Sequence, residues 1–377
     1  MMNGIIDLFS NYTFQIVALG SIALGILTGV TGTFAVLRKQ SLLGDSIAHS
    51  ALAGITMAFI MTGTKNTEIL LLGALIAGLL ATFIINSISN NTRINFESAM
   101  ALVMSVFFGV GFILLTHIQK LPDSQQAGLE RFLFGQAATI LQRDVYFVIG
   151  VTLIVVIIML LLWKEIKVFT FDPVYAHSIG LSTKFLNIVL SGFIVAAIIM
   201  GIQMVGVVLM SALIIAPAVA ARQWTSSLTG MTILAAVFGA ISGLGGTIVS
   251  SLINKFPTGP AIVVIASIIV ILSLLFAPGR GILNKGLRQH RAKQAFEADM
   301  AIINLLTHQL LDIDAHFTKE QLQDACIIDH HREGKSFERL FNNLKKRHMV
   351  ERVDDSMYFK LTKVAKLEYE QNRGDHV

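Results

Sequence analysis

Arg38-Lys39-Gln40-Ser41-Leu42-Leu43-Gly44-Asp45-Ser46-Ile47-Ala48-His49-Ser50 joins two apolar runs of spanning or near-spanning length. Two basic residues close the first run, and an aspartate and a histidine four residues apart open the second. If the second run is helical from its start, Asp45 and His49 lie one turn apart on one face. A carboxylate and an imidazole side by side within a membrane are costly unless they bind each other or something else. The stretch therefore predicts a polytopic membrane protein with a functional polar pair near the start of its second span.

Composition agrees. Of 377 residues, 54% are hydrophobic and 14% charged, and the mean hydropathy is +0.69; such values belong to membrane proteins. Twelve of the 29 Lys/Arg and nine of the 24 Asp/Glu precede residue 279. Charge is thus concentrated in the last hundred or so residues, which read as a soluble domain. The net charge of +5 is small and calls for no nucleic-acid partner. Cys326 is the single cysteine, so no intramolecular disulfide forms and the membrane part has no thiolate ligand. The N-terminus lacks the basic region of a cleavable signal peptide.

Apolar runs cover about 14–37, 45–62, 68–88, 98–118, 144–163, 185–201, 203–221, 228–252 and 260–277. The sixth and seventh are nearly continuous across Gly201, Gln203 and Gly206, so the count is eight or nine. Nine passes with the N-terminus outside put Arg38, Lys39, Arg93, Lys164, Lys167, Lys184, Arg222 and the basic start of the tail on one side, as the positive-inside rule asks. The tail is then cytoplasmic. Between the fourth and fifth spans, Glu130-Arg131-Phe132-Leu133-Phe134-Gly135-Gln136 is half apolar and too short to span. It reads as a re-entrant segment or as an ordinary amphipathic loop.

The cytoplasmic loop Lys164–Lys184 holds Phe171-Asp172-Pro173-Val174-Tyr175-Ala176-His177-Ser178-Ile179-Gly180-Leu181. Asp172 is a good N-cap, Pro173 suits the first helical position and Gly180 can end the helix. A short helix lying along the membrane can serve as a handle for another protein; otherwise it is a plain connector.

After Pro278-Gly279-Arg280 the character changes. Asn284–Leu311 reads as a long helix, Thr318 and Gln321 as the capping box of a second, and Ser336 as the start of a third. Met349–Val353 and Met357–Leu361 read as a β-hairpin over Asp354-Asp355-Ser356, with a last helix over Thr362–Asn372. That order is similar to the winged-helix part of metal-dependent repressors. Contact with a neighbouring protein or dimer stabilisation is the first expectation for it, sensing second and DNA binding last. Asp324, Cys326, Asp329, His330 and His331 could hold a metal, although a solvated helix end accounts for them more simply.

No G-x-x-x-x-G-K-[ST] phosphate loop, nucleophile elbow or H-E-x-x-H occurs, so the chain is not expected to be an enzyme. Within or at the mouths of the spans the ionisable residues are Asp45, His49, Glu97 and His117. Glu97 suits a helix N-terminus, and His117 an interface. One carboxylate oxygen and one imidazole nitrogen suit borderline divalent ions such as manganese, zinc or ferrous iron. Two ligands are too few for a stable site, and a second copy across a dimer axis would give four.

Leu37–Ser50 resembles the signature of bacterial ABC-transporter permeases for manganese, zinc and iron. So does Gly201-Ile202-Gln203-Met204-Val205-Gly206 continuing to Ala216-Pro217-Ala218-Val219-Ala220-Ala221, and Glu130–Gly135 matches the family's outer re-entrant region. Phe171–Leu181 resembles its docking helix for the ATP-binding subunit, which marks Phe171, Asp172, Pro173, Ala176 and Gly180. The resemblance implies a bacterial cell-membrane importer. An extracellular metal-binding lipoprotein delivers the ion, two permease subunits (identical or paralogous) form the path, and cytoplasmic ATP-binding subunits drive it. Asp45 and His49 fall on the positions expected to bind the transported ion, with manganese the first expectation; no permanently bound cofactor is implied.

The expected architecture is an all-α polytopic membrane protein of eight or nine transmembrane helices, residues 1–279, followed by a small α+β winged-helix-like cytoplasmic domain, residues 280–377. The competing functions are a membrane-anchored metal-responsive regulator and an ion-coupled carrier without an ATPase. One difficulty attends the pair: a helix starting at the cytoplasmic surface would hold Asp45 and His49 near that surface, unless the first span turns early and holds them deeper.

Overall fold

The computed structural model describes residues 11–64, 66–120, 135, 140–253, 256–278, 281–286, 316–325, 335–353 and 357–363. The chain divides into two compact units, Met1–Gly281 and Ile282–Val377.

The first unit is helical. α1 (Tyr12–Leu37), α2 (Ser41–Thr62), α3 (Thr67–Asn91), α4 (Phe96–Gln119) and α5 (Gln142–Leu161) are followed by two short helices, α6 (Trp163–Phe171) and α7 (Pro173–Ser178). Then come α8 (Thr183–Val205), α9 (Val207–Trp224), α10 (Leu228–Leu252) and α11 (Thr258–Phe276). All but α6 and α7 are long and apolar enough to cross a membrane, nine among the described residues. The choice between eight and nine is made at Gly206, whose φ of 92° only glycine adopts readily. There α8 stops and α9 folds back on it, so that a methyl on Gly201 would strike the sulfur of Met210 at 2.1 Å.

Lipid gives helices little hydrophobic reason to associate, so close packing of small residues does that work. Gly25 meets Gly239, and Gly29 meets Ala235, so closely that a β-carbon on either glycine would stand 2.1 and 2.2 Å from the facing carbonyl oxygen. α1 and α10 are thereby locked backbone to backbone. Gly54 and Gly73 bring α2 and α3 together in the same way. Buried hydroxyls add links that apolar side chains cannot: Thr247 Oγ1 donates to Ser21 Oγ at 3.2 Å, and Ser46 Oγ to the Met100 carbonyl at 3.4 Å.

The first unit's turn between α1 and α2 is tight. The Gln40 N–H bonds Ala35 O at 2.8 Å and the Lys39 N–H bonds Val36 O at 3.2 Å, a Schellman closure. Lys39 occupies the left-handed position that glycine usually fills, at φ 57°. α2 therefore starts at Ser41, four residues before the apolar run expected to begin at Asp45.

The second unit contains a three-stranded antiparallel sheet in the order β1-β3-β2: β1 (Phe317–Thr318), β2 (Val350–Arg352) and β3 (Tyr358–Leu361). Its described helices are α12 (Lys319–Ala325) and α13 (Lys335–Lys346). The hairpin forms in the expected place, with Val350 opposite Leu361. The Thr318–Gln321 capping box is also present: the Gln321 N–H donates to Thr318 Oγ1 at 3.3 Å and the Thr318 N–H to Gln321 Oε1 at 2.8 Å. β1 was not expected. Two residues carry no alternation to read, and the strand exists because Phe317 is buried beside Phe359 on the hairpin. Residues 287–315 and 364–377, most of the expected first and last helices, lie outside the described residues. So do the re-entrant candidate except Gly135, and Cys326, Asp329, His330 and His331 of the alternative metal cluster.

Candidate functional site

Asp45 and His49 come together as their spacing requires: His49 Nε2 lies 3.4 Å from Asp45 Oδ1, one turn apart on α2. Their side chains keep 32% and 22% of their exposure, while the rest of this turn faces protein: Leu43, Ile47 and Ala48 are at most 1% exposed. The helix thus offers one half-open polar face. The imidazole packs edge-on against the ring of Phe108 on α4, with centroids 4.9 Å apart. That fixes the ring plane without satisfying its nitrogens, and Nδ1 is buried with no hydrogen-bond partner. Asp45 also interacts with the side chain of Ser211, one turn past the Gly206 reversal, on α9. Spacing alone could not have found Ser211, which belongs to another span.

The depth of the pair follows from its neighbours. A methyl on Gly78, halfway along α3, would meet Ile47 at 3.1 Å. One on Gly44 would touch Ile214 of α9 and Ile198 of α8 at ordinary contact distances. Asp45 and His49 are therefore level with the middle of the surrounding spans. α1 nevertheless runs a full 26 residues, and at the turn that follows it Lys39 is exposed while Arg38 and Gln40 are half-buried.

Among the described residues no group of three or more His, Cys, Asp or Glu could hold a metal ion. Asp45 and His49 bring together one carboxylate and one imidazole, and the imidazole's Nδ1 is unsatisfied. Glu97 is in the first turn of α4, where Asn95 caps the helix, and His117 is in its last turn; neither reaches the pair.

On the same unit, α6 and α7 form an elbow. Asp172 caps α7 by accepting the Tyr175 N–H at 2.9 Å, and Pro173 is the first helical residue. Gly180 ends the segment at φ 86°, and the Leu181 N–H returns to Ala176 O at 3.0 Å. Ala176 is fully buried and anchors the elbow, whereas Phe171, Val174, Tyr175 and Ile179 are all more than half exposed. The segment is thus anchored at Ala176 and leaves four large apolar residues exposed, two on α7 and one at either side of it.

The family model for the ABC 3 transport family matches residues 10–277. The chain belongs to that family. It is 47% identical over 290 residues to the zinc transport system membrane protein TroC of Treponema pallidum, covering 77% of this chain and 97% of that protein. It is 38% identical over 349 residues to the manganese transport system membrane protein MntC of Bacillus subtilis, covering 91% of this chain and 78% of that one. The second alignment is too long to end at residue 277, so it takes in part of the second unit. Among solved structures, PsaBC from Streptococcus pneumoniae in complex with Fab matches with a TM-score of 0.67 at 27% identity, over 77% of this chain and 100% of that chain. This ABC 3 member is a multi-pass transport subunit and not an enzyme; an ATP-binding subunit and a substrate-binding lipoprotein are the partners of such a permease. The membrane-anchored regulator is not favoured.

Proposed function

We propose that the chain is the permease of an importer for manganese or zinc, and that Asp45 and His49 are the ligands the ion meets in the path. The observation that carries this is a carboxylate and an imidazole in contact, half open, at the middle of nine apolar helices. Desolvating such a pair costs several kcal/mol unless an ion or another partner compensates. The donor set, oxygen and nitrogen without sulfur, suits manganese, zinc and ferrous iron; the names of the relatives favour the first two. Two copies facing each other would supply four ligands, so the working path contains a second permease subunit. The elbow at Phe171, Asp172, Pro173, Ala176 and Gly180 takes the ATP-binding subunit, and the second unit is a cytoplasmic winged-helix-like domain that contacts neighbouring protein.

The test is ATP-driven uptake of manganese or zinc by the complex in proteoliposomes. Asp45→Ala and His49→Ala should each lower uptake by about a hundredfold, since even outer-shell losses at metal sites cost 10- to 100-fold. Full uptake in both variants, with the complex intact, would remove the site assignment.

A further inference from the structure

Arg38 stands between the elbow and the ion-bearing helix. Its Nη2 donates to Asn187 Oδ1 on α8 at 2.7 Å, and its guanidinium carbon lies 4.7 Å from the ring centroid of Phe169 on α6. Phe169 is buried and is three residues from Asp172, the cap of α7. Phe34, one turn before Arg38, packs edge-on against Trp163 at the start of α6, with centroids 6.2 Å apart. The Schellman turn then couples Arg38 to the start of α2, and Asp45 lies in the second turn of that helix. One side chain therefore bridges the docking elbow and the helix that carries the ion pair.

The bridge is incomplete. Arg38 Nη1 is buried with no hydrogen-bond partner among the described residues, and so are Glu165 Oε2 and Gln40 Oε1. Glu165 and Phe169 are four apart on α6 and share a face, and Gln40 is two residues beyond Arg38. Leaving a buried charged donor and a buried carboxylate oxygen both unpaired is expensive. Arg38 packs on Phe169, one turn from Glu165, so an arrangement that pairs the leftover donor with a leftover acceptor could compete with this one.

We propose that Arg38 is a positioning residue that couples the docking elbow to the ion pair, exchanging its present contacts for an ion pair with Glu165 in another state of the transport cycle. When the ATP-binding subunit moves the elbow, Glu165 is carried to Arg38. The rigid turn then transmits the displacement to α2, tilting Asp45 and His49 relative to Ser211 and Phe108. This rests on the assignment of Phe171–Leu181 as the docking surface.

The experiment uses the assembled complex with its ATP-binding subunit in proteoliposomes, and reads manganese uptake per ATP hydrolysed alongside Mn2+ binding. Arg38→Gln and Glu165→Gln should each lower the uptake-to-ATP ratio on the order of tenfold, within the usual range of coupling energies, with Mn2+ affinity moved by less than about twofold. The double variant should be no worse than either single one, and exchanging the charges (Arg38→Glu with Glu165→Arg) should restore most of the ratio. An unchanged ratio, additive losses, or no rescue by the exchange overturns the proposal. Should Arg38 variants fail to assemble, Glu165→Gln decides alone: a wild-type ratio sinks the pairing. Failure of the docking assignment looks different, because Val174→Asp would then still retain the ATP-binding subunit. Failure of the ion-site assignment is different again, because Asp45→Ala would leave Mn2+ binding intact.

Discussion

Gly25 shows how much of this bundle depends on single atoms. With Gly239 O 2.1 Å from where its β-carbon would stand, Gly25→Ala has to push α1 off α10, backbone against backbone. Overpacking of this kind costs about 1–3 kcal/mol, so the thermal midpoint of the purified protein in detergent should fall by several degrees. Gly109→Ala on α4, where a new methyl meets nothing within 4 Å, should leave it unchanged or slightly raised, because alanine is the better helix former. The candidate ligands show the same dependence from the chemical side. Asp45 and His49 were legible in the sequence because ionisable residues are scarce in apolar spans and their four-residue spacing fixes their geometry. Ser211 was not, since a lone serine in a span is unremarkable until folding sets it against a carboxylate. Arg38 reads as a marker of the cytoplasmic end of a span; what the sequence does not show is that its guanidinium packs on Phe169 of α6 and bonds Asn187 in the second turn of α8.

At the scale of elements, the elbow of α6 and α7 was the most readable piece of the chain. Asp172, Pro173 and Gly180 are local signals whose effects do not depend on tertiary context, and each acts as expected. What the sequence could not supply was the outward aim of Phe171, Val174, Tyr175 and Ile179, which follows from burial of Ala176. Val174, 80% exposed at the crest, should tolerate a charge in the isolated permease. Val174→Asp should nevertheless abolish retention of the ATP-binding subunit during affinity purification while the permease itself elutes normally. Asp172→Ala should act more mildly, loosening α7 by about 1 kcal/mol through loss of its cap and reducing the retained fraction. The start of α2 was less readable. Its first turn, Ser41–Gly44, lies outside the apolar run and was recruited by the Leu43 N–H bonding the Gln40 carbonyl at 3.0 Å. That one turn decides how deep the pair sits.

At the scale of the molecule, charge alone marks a change of character near residue 280, and the two compact units are Met1–Gly281 and Ile282–Val377. The nine passes were legible except at Gly206, where the apolar run hardly breaks and only the backbone conformation reveals the reversal. A permease unit with its own core should fold without the second unit. Truncation after Arg280 should therefore keep the helical circular-dichroism signal and a measurable share of ATP-driven uptake, whereas a regulator would lose its whole output. The proposed ion site also has an electrical consequence. An ion bound by Asp45 and His49, beside the middle of α3 and α9, would have crossed about half of the membrane voltage. For a divalent cation entering a cell whose interior is 100 mV negative, that half-crossing is worth about 2.3 kcal/mol, close to a fiftyfold gain in occupancy from outside. With the ion at that site, the same field would oppose release back to the outer face and favour the second half of the journey, so the resting potential would rectify the path before any ATP is hydrolysed.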